Sequence, residues 1–212
     1  MGVLFKSFLR KSQSISGDLP LLEPRSLQDN ASTVGLIEYP LHVPGRVFGS
    51  AMPFGLYDPD GCLFEEAKQV GVSVIVLLAE ATECREKAKR DLFELYRHAG
   101  LSVMHFPIPN YGIPSADPLT RSLKQTIQAA MHGRNILIHC SAGLGRTTLY
   151  AACLAKMTLN LSGTEALRWV GILNARALLT PAQILVVLSE LKEHNPGGIT
   201  RTEGNCLKPL CP

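Results

Sequence analysis

The sequence lacks several features that would assign it quickly to a class of protein. Its 212 residues contain no apolar run long enough to span a bilayer and no C-x-x-C pair of the kind that holds zinc. Aromatic residues make up 6%, the net charge is +3, and no basic block interrupts the body, which argues against nucleic-acid binding. The six cysteines are scattered and no secretory signal pattern is present, so we expect a cytoplasmic protein with reduced thiols.

Composition changes near both ends of the chain. Ser, Pro, Asp and Asn are frequent over residues 12–32, and the last residues are rich in Pro and Gly. We therefore predict an N-terminal extension over residues 1–38, one domain over 39–194 and a flexible tail over 195–212, in a monomer. Residues 1–11 would place apolar side chains on one helix face with basic neighbours. This segment is either a weak membrane-surface helix or a frayed terminus.

Predicted strands and helices alternate through the domain, which indicates an α/β fold with a central, mostly parallel sheet flanked by helices. Short apolar runs rich in β-branched residues predict strands, and apolar residues at helical spacing predict helices. The strands are expected at 72–79, 101–108 and 135–140, and the helices at 85–100, 118–133 and 146–160. Two later helices begin with capping boxes, Ser162 with Glu165 and Thr180 with Gln183.

The segment "NILIHCSAGLGRTTLY" joins a predicted buried strand to a predicted helix through a loop of small residues. Backbone N–H groups at the start of a helix bind anions well, and glycines let the backbone approach a phosphate closely. The segment therefore predicts a phosphate-binding loop, with Arg146 as a planar cation that grips two phosphate oxygens. The substrate-binding amides are those of Ser141, Ala142, Gly143, Leu144 and Gly145.

Cys140 stands where the strand ends and the loop begins, so the same donors would favour its thiolate form, which is the nucleophilic form of a cysteine. Thr147 is placed to donate a hydrogen bond to that sulfur when it leaves a covalent intermediate, and His139 is placed to orient the loop from behind. With a thiolate and Arg146 present, no metal is required. The remaining cysteines of the body, Cys62, Cys84 and Cys153, are predicted to be packing residues.

The string "HCSAGLGRT" resembles the signature of the cysteine-dependent protein tyrosine and dual-specificity phosphatases. The resemblance extends over about residues 39–192, with "VPGRVFGSAMP" (43–53) and "FPIPNYGIPS" (106–115) similar to segments of the compact atypical dual-specificity type. It implies phosphate-ester hydrolysis through a phosphocysteine intermediate. "ALLTPAQ" (177–183) is similar to the segment that supplies a water-positioning glutamine in some relatives, which makes Gln183 a candidate for that role beside its role in a capping box.

One position departs from the family's pattern. Where relatives carry the Asp that protonates the leaving oxygen and later activates water, this sequence has Asn110. An amide performs no general acid catalysis, and losing such a group typically costs about 10²–10⁴ in rate. Three explanations remain open: a substitution that traps substrate, a slow or vestigial phosphatase that mainly binds phosphorylated partners, or another acid. Asp117 is the candidate replacement, with the alternative that it caps the helix beginning at Pro118.

The variable positions of the phosphate loop carry no charge. Lipid-directed members of the superfamily often place lysines there, whereas this sequence has Ser141, Ala142 and Leu144. The neutral loop favours a phosphoprotein substrate, chiefly phosphotyrosine with dual specificity as an extension, over a lipid or inositol phosphate. The competing hypothesis is a phosphoresidue-binding module that keeps the loop and has largely lost turnover.

Overall fold

The computed structural model describes residues 35–190, in which strands and helices alternate. The strands are β1 (Ile37–Glu38), β2 (Val47–Ser50), β3 (Val72–Leu77), β4 (Ser102–His105) and β5 (Asn135–His139). The helices are α1 (Cys62–Gln69), α2 (Ala81–Ala88), α3 (Leu92–His98), α4 (Ala116–Met131), α5 (Arg146–Leu159), α6 (Gly163–Leu173) and α7 (Pro181–Leu188). Residues 1–34 of the predicted extension, with their amphipathic segment, and the predicted tail lie outside the described residues.

The strands form one five-stranded sheet in the order β1-β2-β5-β3-β4. The short β1 pairs antiparallel with β2, and every other pairing is parallel, which confirms the predicted α/β class with a mostly parallel sheet. β1 itself falls within the segment 1–38 that we predicted to be an extension. Because β3 and β5 pair with Leu77 opposite His139, their carboxyl ends meet at one edge of the sheet, and the loop after β5 emerges there.

Helices cover both faces of the sheet. Successive residues of a strand point to opposite faces, so each strand contributes to two cores. Val74 and Val76 of β3 pack into the core shared with α4, α5, α6 and α7. Ile75 and Leu77 pack into the core shared with α1, α2 and α3. Burial on both sides explains why β3 is an unbroken apolar run in the sequence.

The helix predicted over 85–100 is wrong in its extent, because the chain forms two helices there. Lys89 ends α2 in the left-handed conformation (φ 54°), which breaks the helical path. Asp91 then caps α3 by accepting a hydrogen bond from the N–H of Glu94 at 3.0 Å. The short α2 that results follows β3 in the chain. It lies beside the loop after β5, to which it is joined by Glu83 and Lys87.

Both predicted capping boxes are confirmed. The hydroxyl of Ser162 accepts from the N–H of Glu165 at 3.3 Å, and the Glu165 carboxylate accepts from the N–H of Ser162 at 2.7 Å. The equivalent pair opens α7 between Thr180 and Gln183. In residues 35–190, no helix is long and apolar enough to cross a membrane.

Candidate active site

A tight loop connects β5 to α5 and contains the predicted phosphate-binding residues 141–145. Gly143 adopts φ 76°, and a Cβ atom at this position would lie 2.7 Å from the carbonyl carbon and oxygen of Ser50. Glycine is therefore required at position 143 both by its backbone conformation and by the close approach of β2.

Three carbonyl groups of the loop accept hydrogen bonds from N–H groups outside it. The carbonyl of Ser141 accepts from the N–H of Met52 at 2.9 Å, and that of Leu144 accepts from the N–H of Leu178 at 3.0 Å. The carbonyl of Gly145 accepts from the N–H of Leu149 within the first turn of α5. These three carbonyl oxygens are therefore already bonded within the protein.

The N–H groups of the loop, unlike these carbonyls, are mostly not bonded to protein atoms of the described range. The N–H of Gly143 points at the sulfur of Cys140, with an N to Sγ distance of 3.3 Å. Within residues 35–190 no protein acceptor is bonded to the other N–H groups of the loop, those of Ser141, Ala142, Leu144 and Gly145. Together with the start of α5, these N–H groups are donors that the described part of the protein leaves unbonded, which suits an anion.

Cys140 is less accessible than its predicted role suggests, since only 2% of the residue is exposed. Among the described residues, no group of three or more His, Cys, Asp or Glu side chains is arranged to hold a metal ion.

Arg146 begins α5 and is buried, with its guanidinium held by α2 and by the loop that follows β4. Nη1 and Nη2 donate to the two carboxylate oxygens of Glu83 on α2, at 2.7 and 2.8 Å. Nη1 also donates to the carbonyl of Ile108 at 3.1 Å, and Nη2 to Oδ1 of Asn110 at 3.3 Å. The two-point pair with Glu83 fixes the plane of the guanidinium beside the loop.

Glu83 is a residue of the site that the sequence analysis missed. Burial alone would raise the pKa of its carboxyl, but hydrogen bonds from Arg146 and Lys87 and their positive charges outweigh burial and lower the pKa to about 2. Lys87, one turn further along α2, donates to Glu83 at 2.7 Å and to the hydroxyl of Ser141 at 2.9 Å. The neutral phosphate loop therefore has a lysine at its rim, supplied by another element.

His139 supports the loop from below, as the sequence predicted. Complete burial lowers the pKa of its imidazole to about 4, so the ring is neutral at pH 7. Nδ1 lies 3.2 Å from the carbonyl oxygen of Cys140, which only accepts, so Nδ1 carries the proton. Nε2 then accepts from the hydroxyl of Tyr96 at 2.9 Å. This chain of bonds ties the last residue of β5 to α3.

Thr147, the second residue of α5, is also buried. Its hydroxyl oxygen has no hydrogen-bond partner among residues 35–190. A buried hydroxyl without a partner is costly in a folded protein, so its presence at a candidate site is consistent with a donor kept for the reaction.

Asn110 and Asp117, the two candidates for the acid position, are placed differently. Asn110 contacts Arg146, as given above, and so belongs to the site. Asp117 is exposed, and no hydrogen bond or ion pair joins it to another residue of the described range. The alternative that Asp117 caps α4 is wrong, because Ser115 is the N-cap residue and Asp117 is the second residue of the helix. Pro118 is accommodated there since first-turn N–H groups have no helical acceptor.

Gln183 is buried and links α7 to the loop that carries Asn110. Its Oε1 accepts from the N–H of Thr180 at 3.1 Å, and its Nε2 donates to the carbonyl of Gly112 at 2.9 Å. A Cβ on Gly145 would lie 3.4 Å from the same Oε1, so the amide is also adjacent to the phosphate loop. Gln183 thus caps its helix and, with the same side chain, reaches the candidate site.

The predicted packing cysteines divide into two kinds. Cys84 and Cys153 are buried, and burial raises the pKa of each thiol to about 12. Cys62 is exposed at the first residue of α1, so its prediction as a packing residue is wrong.

The fold and the strand-loop-helix site define a phosphatase-like protein of the tyrosine and dual-specificity type. The family model described as Cyclin-dependent kinase inhibitor 3 (CDKN3) matches residues 62–167, and the chain belongs to this family. Cyclin-dependent kinase inhibitor 3 of Rattus norvegicus is 32% identical over 90 residues, which are 42% of this chain and 42% of the relative. Protein tyrosine phosphatase domain-containing protein 1 of Danio rerio is 32% identical over 94 residues, 44% of this chain and 13% of the relative.

Solved structures extend the likeness of the fold beyond these aligned segments. The kinase associated phosphatase (KAP), with its catalytic site cysteine replaced by serine, superposes with a TM-score of 0.66 at 22% identity, over 74% of this chain and 94% of that one. Tk-PTP in its active form gives a TM-score of 0.58 at 28% identity, over 71% and 93%. By sequence, the chain aligns with 42% of the length of the first curated relatives.

Proposed function

We propose that this chain is a phosphoprotein phosphatase that acts on phosphotyrosine, with dual specificity as an extension, through a phosphocysteine intermediate. The observation that supports the proposal is the loop of residues 141–145, in which the N–H of Gly143 points at the sulfur of Cys140 and the other N–H groups have no protein acceptor in the described range, with the guanidinium of Arg146 fixed by Glu83 at the start of the next helix. Such an arrangement stabilises the negative charge of a phosphoryl group in the transition state of its transfer better than it would bind a neutral ligand.

In the first step the thiolate of Cys140 attacks phosphorus, an S–P bond forms and the bond from phosphorus to the ester oxygen breaks. The loop amides and Arg146 stabilise the three non-bridging oxygens. The leaving oxygen takes a proton from water or departs as a phenolate, because Asn110 has no proton to give. In the second step water attacks phosphorus, the S–P bond breaks and inorganic phosphate leaves. Thr147 donates to the departing thiolate, and Gln183 is placed to orient the water.

The absence of an acid at position 110 has a chemical consequence. A phenolate leaves readily without protonation, whereas the alkoxide of serine or threonine does not. The site therefore favours aryl phosphates by chemistry alone. Asp117 is left out of this mechanism because it is exposed in the first turn of α4 and is bonded to no residue of the site.

The experiment that tests the proposal measures hydrolysis of an aryl phosphate and of phosphotyrosine peptides by the purified full chain. We expect turnover by the parent and none by Cys140→Ser. Rapid acid quenching with a radiolabelled phosphotyrosine peptide should trap one phosphate per chain on the parent and none on the variant. If the two proteins hydrolyse the substrate equally, the proposal is wrong.

A second candidate function is a module that binds phosphorylated partners with little turnover. It is favoured by one observation, the hydrogen bond that Arg146 donates to Asn110, which leaves an amide where an acid would stand. The Asn110→Asp variant separates the two functions. A steep rise in turnover from a nearly inactive parent supports the binding module, and a parent that is already fast supports the enzyme.

A further inference from the structure

We propose that the outer edge of strand β4, together with the helix α4 beside it, binds an extended acidic segment of a partner protein as an additional strand of the sheet. None of the residues that line this surface belongs to the candidate active site, so the inference is independent of the proposed phosphatase activity. It depends on the backbone of β4, on the groove between β4 and α4, and on the charges at the two ends of that groove.

Strand β4 is the last strand on one side of the sheet, and within residues 35–190 it pairs only with β3. The N–H of Phe106 donates to the carbonyl of Leu77 on β3 at 2.9 Å. Because peptide groups alternate in direction along a strand, the N–H and C=O groups of Val103 and His105 point away from β3. β4 contains neither proline nor lysine, which commonly protect edge strands from pairing with another chain. Its outer edge therefore offers backbone donors and acceptors to an extended segment.

A groove of about 610 Å³ runs along β4, between the strand and α4. Its apolar lining includes Met104, Phe106 and Ala129, which also pack against the core. On the helix side, the lining is a polar stripe at the spacing of successive helical turns, which consists of Arg121, Gln125, Gln128 and the C-cap residue His132. Since successive side chains of a strand point to opposite faces, a segment paired with β4 would turn alternate side chains toward this stripe.

Arginines stand at the two ends of the groove. Because α4 connects the carboxyl end of β4 to the amino end of the parallel β5, it runs antiparallel to β4 and places Arg121 near the carboxyl end of that strand. At the other end, Nη2 of Arg134 donates to the carbonyl of Ser73 at 2.8 Å and to the hydroxyl of Ser102 at 3.0 Å. These bonds fix the guanidinium and leave its Nη1 without a partner among the described residues. No acidic side chain of the described range lines the groove, so its charge is positive.

This charge favours an acidic partner over a second copy of the chain. A second copy that paired its own β4 with this edge would bring the same arginines into one interface, and like charges at an interface cost free energy. An acidic segment would instead form an ion pair at each end of the groove. We therefore identify the occupant as an acidic segment of another protein.

The dimensions of the groove specify the pattern of that segment. The polar stripe from Arg121 to His132 extends about 16 Å along the helix axis. Residues i and i+4 of an extended chain lie on one face about 13 Å apart, with residue i+2 between them. The matching segment has acids at i and i+4 and an apolar residue at i+2, opposite the apolar lining. The pattern is the same in both chain directions, so it applies to parallel and to antiparallel pairing.

The test measures binding of capped nine-residue peptides to the full chain. The first peptide has glutamate at its third and seventh positions, valine at its fifth and threonine elsewhere. The matched control has the same composition, with the second glutamate moved to the sixth position and so to the opposite face. We expect the control to bind about 2- to 5-fold more weakly, the range for one exposed ion pair. In NMR spectra, the amide signals of Val103 and His105 should shift when the first peptide binds.

Two further peptides test for pairing of the backbone. They have the sequence of the first peptide, with N-methyl groups on the odd positions in one and on the even positions in the other. Because only alternate N–H groups of an added strand face β4, one of these peptides should lose binding and the other should retain it. Retention or loss by both would contradict strand addition.

Variants of the chain test where the peptide binds. Arg121→Glu should weaken binding of the first peptide by at least about 5-fold, because a repulsion replaces an attraction. Arg168→Glu makes the same change of charge at an exposed residue of α6 and should leave the affinity unchanged. Val103→Pro removes an N–H that points away from β3, where edge strands tolerate proline, and should prevent pairing. Hydrolysis of an aryl phosphate at the rate of the parent checks that this variant has folded.

Three results would overturn the inference. The first is equal affinity for the first peptide and its control, or binding that survives both Arg121→Glu and Val103→Pro. The second is displacement of the peptide by inorganic phosphate, because the phosphate loop would then be the binding site. The third is a dimer in analytical ultracentrifugation that Val103→Pro dissociates, because a second copy of the chain would then cover the edge.

Discussion

Glu83 and Arg146 meet in a two-point ion pair, with each terminal nitrogen of the guanidinium donating to one carboxylate oxygen at 2.7 and 2.8 Å. The pair joins α2 to the first residue of α5 across the edge of the sheet from which the phosphate loop emerges. It restricts the guanidinium to one plane without using the N–H groups of the loop. The site thus consists of a preformed set of amides and an arginine that is fixed by a different element.

The first prediction concerns the Glu83 carboxylate. Glu83→Ala leaves the charge of Arg146 buried with only neutral acceptors, and breaking such a pair typically costs about 3–5 kcal/mol of stability. Glu83→Gln keeps the shape and one acceptor, so it should destabilise less while still lowering kcat/KM for an aryl phosphate, because the guanidinium loses its fixed plane. Chemical denaturation and steady-state kinetics measure the two effects.

Glu86→Ala is the control for both variants, since Glu86 is an exposed carboxylate on the same helix. It should change stability by less than about 0.5 kcal/mol and leave kinetics unchanged. Full activity in Glu83→Gln would show that Arg146 stays in position without the second acceptor and the charge of the carboxylate.

The second prediction separates the two roles of Gln183. Gln183→Glu keeps an oxygen that accepts from the N–H of Thr180 but loses the donor to the carbonyl of Gly112, whereas Gln183→Ala loses both. Losing the helix cap should cost about 1 kcal/mol in the alanine variant, whereas the glutamate variant keeps the cap and is destabilised by a buried carboxylate against the carbonyl of Gly112. If the amide fixes the Asn110 loop, both variants should lose activity, up to about 100-fold.

Thermal unfolding and hydrolysis of an aryl phosphate, measured on the same samples, give the two readouts. Should Gln183→Glu remain fully active, its link to Gly112 would have no part in catalysis, and Gln183 would be a capping residue alone.

The third prediction is a pH dependence of stability from His139. Burial lowers the pKa of its imidazole from 6.5 to about 4. Between these pH values the imidazole is protonated in the unfolded chain and neutral in the folded chain. Stability should therefore fall as the pH drops from about 6.5 to about 4, by an amount on the order of 3 kcal/mol. Equilibrium unfolding in denaturant between pH 7 and pH 4 measures the slope.

A second acidic limb should follow from Glu83. Its lowered pKa of about 2 means that the pair with Arg146 contributes fully above pH 4.5 and is lost as the pH falls from 4.5 toward 2. His139→Gln should flatten the first limb and leave the second. An unchanged slope above pH 4.5 in that variant would contradict the assignment to His139.

The fourth prediction concerns Asp117. The residue is exposed at the second position of α4, where a carboxylate interacts favourably with the start of the helix. Asp117→Asn should lower stability by about 0.3–1 kcal/mol and change kcat for an aryl phosphate by less than about 3-fold. The basic limb of the pH-rate profile should be the same in both proteins. A loss of 100-fold or more in kcat would instead make Asp117 the acid.

The phosphate loop was the part of the site most accessible to sequence analysis, because its strand, its turn and the start of its helix are contiguous. Glycine spacing, a buried apolar strand and an arginine at the start of a helix each have a local physical meaning, so the segment from Cys140 to Thr147 could be interpreted without the rest of the fold. The same holds for the capping boxes of α6 and α7.

Residues that reach the loop from elsewhere were not accessible in this way. Glu83 and Lys87 lie on α2, whose end depends on Lys89 adopting a left-handed conformation that helix propensity does not favour. We predicted Asp117 as the cap of a helix beginning at Pro118, but α4 begins at Ala116, so Ser115 occupies the N-cap position, without a side-chain cap hydrogen bond. Which acid stands beside an arginine is decided by the packing of α2 on the sheet, and no periodicity in the sequence records that.

The hydrogen bonds to the carbonyls of the phosphate loop determine which fragments of this chain can keep the loop in its conformation. One of these carbonyls is tied to Leu178, well beyond the end of the signature string, and another to Met52, well before it. A shortened chain that ended at α5 would retain the whole signature string. It would lose the hydrogen bond from Leu178 that holds the carbonyl of Leu144 in the loop. The anion affinity that we propose is consequently a property of the assembled domain, and a peptide with the motif alone should have none.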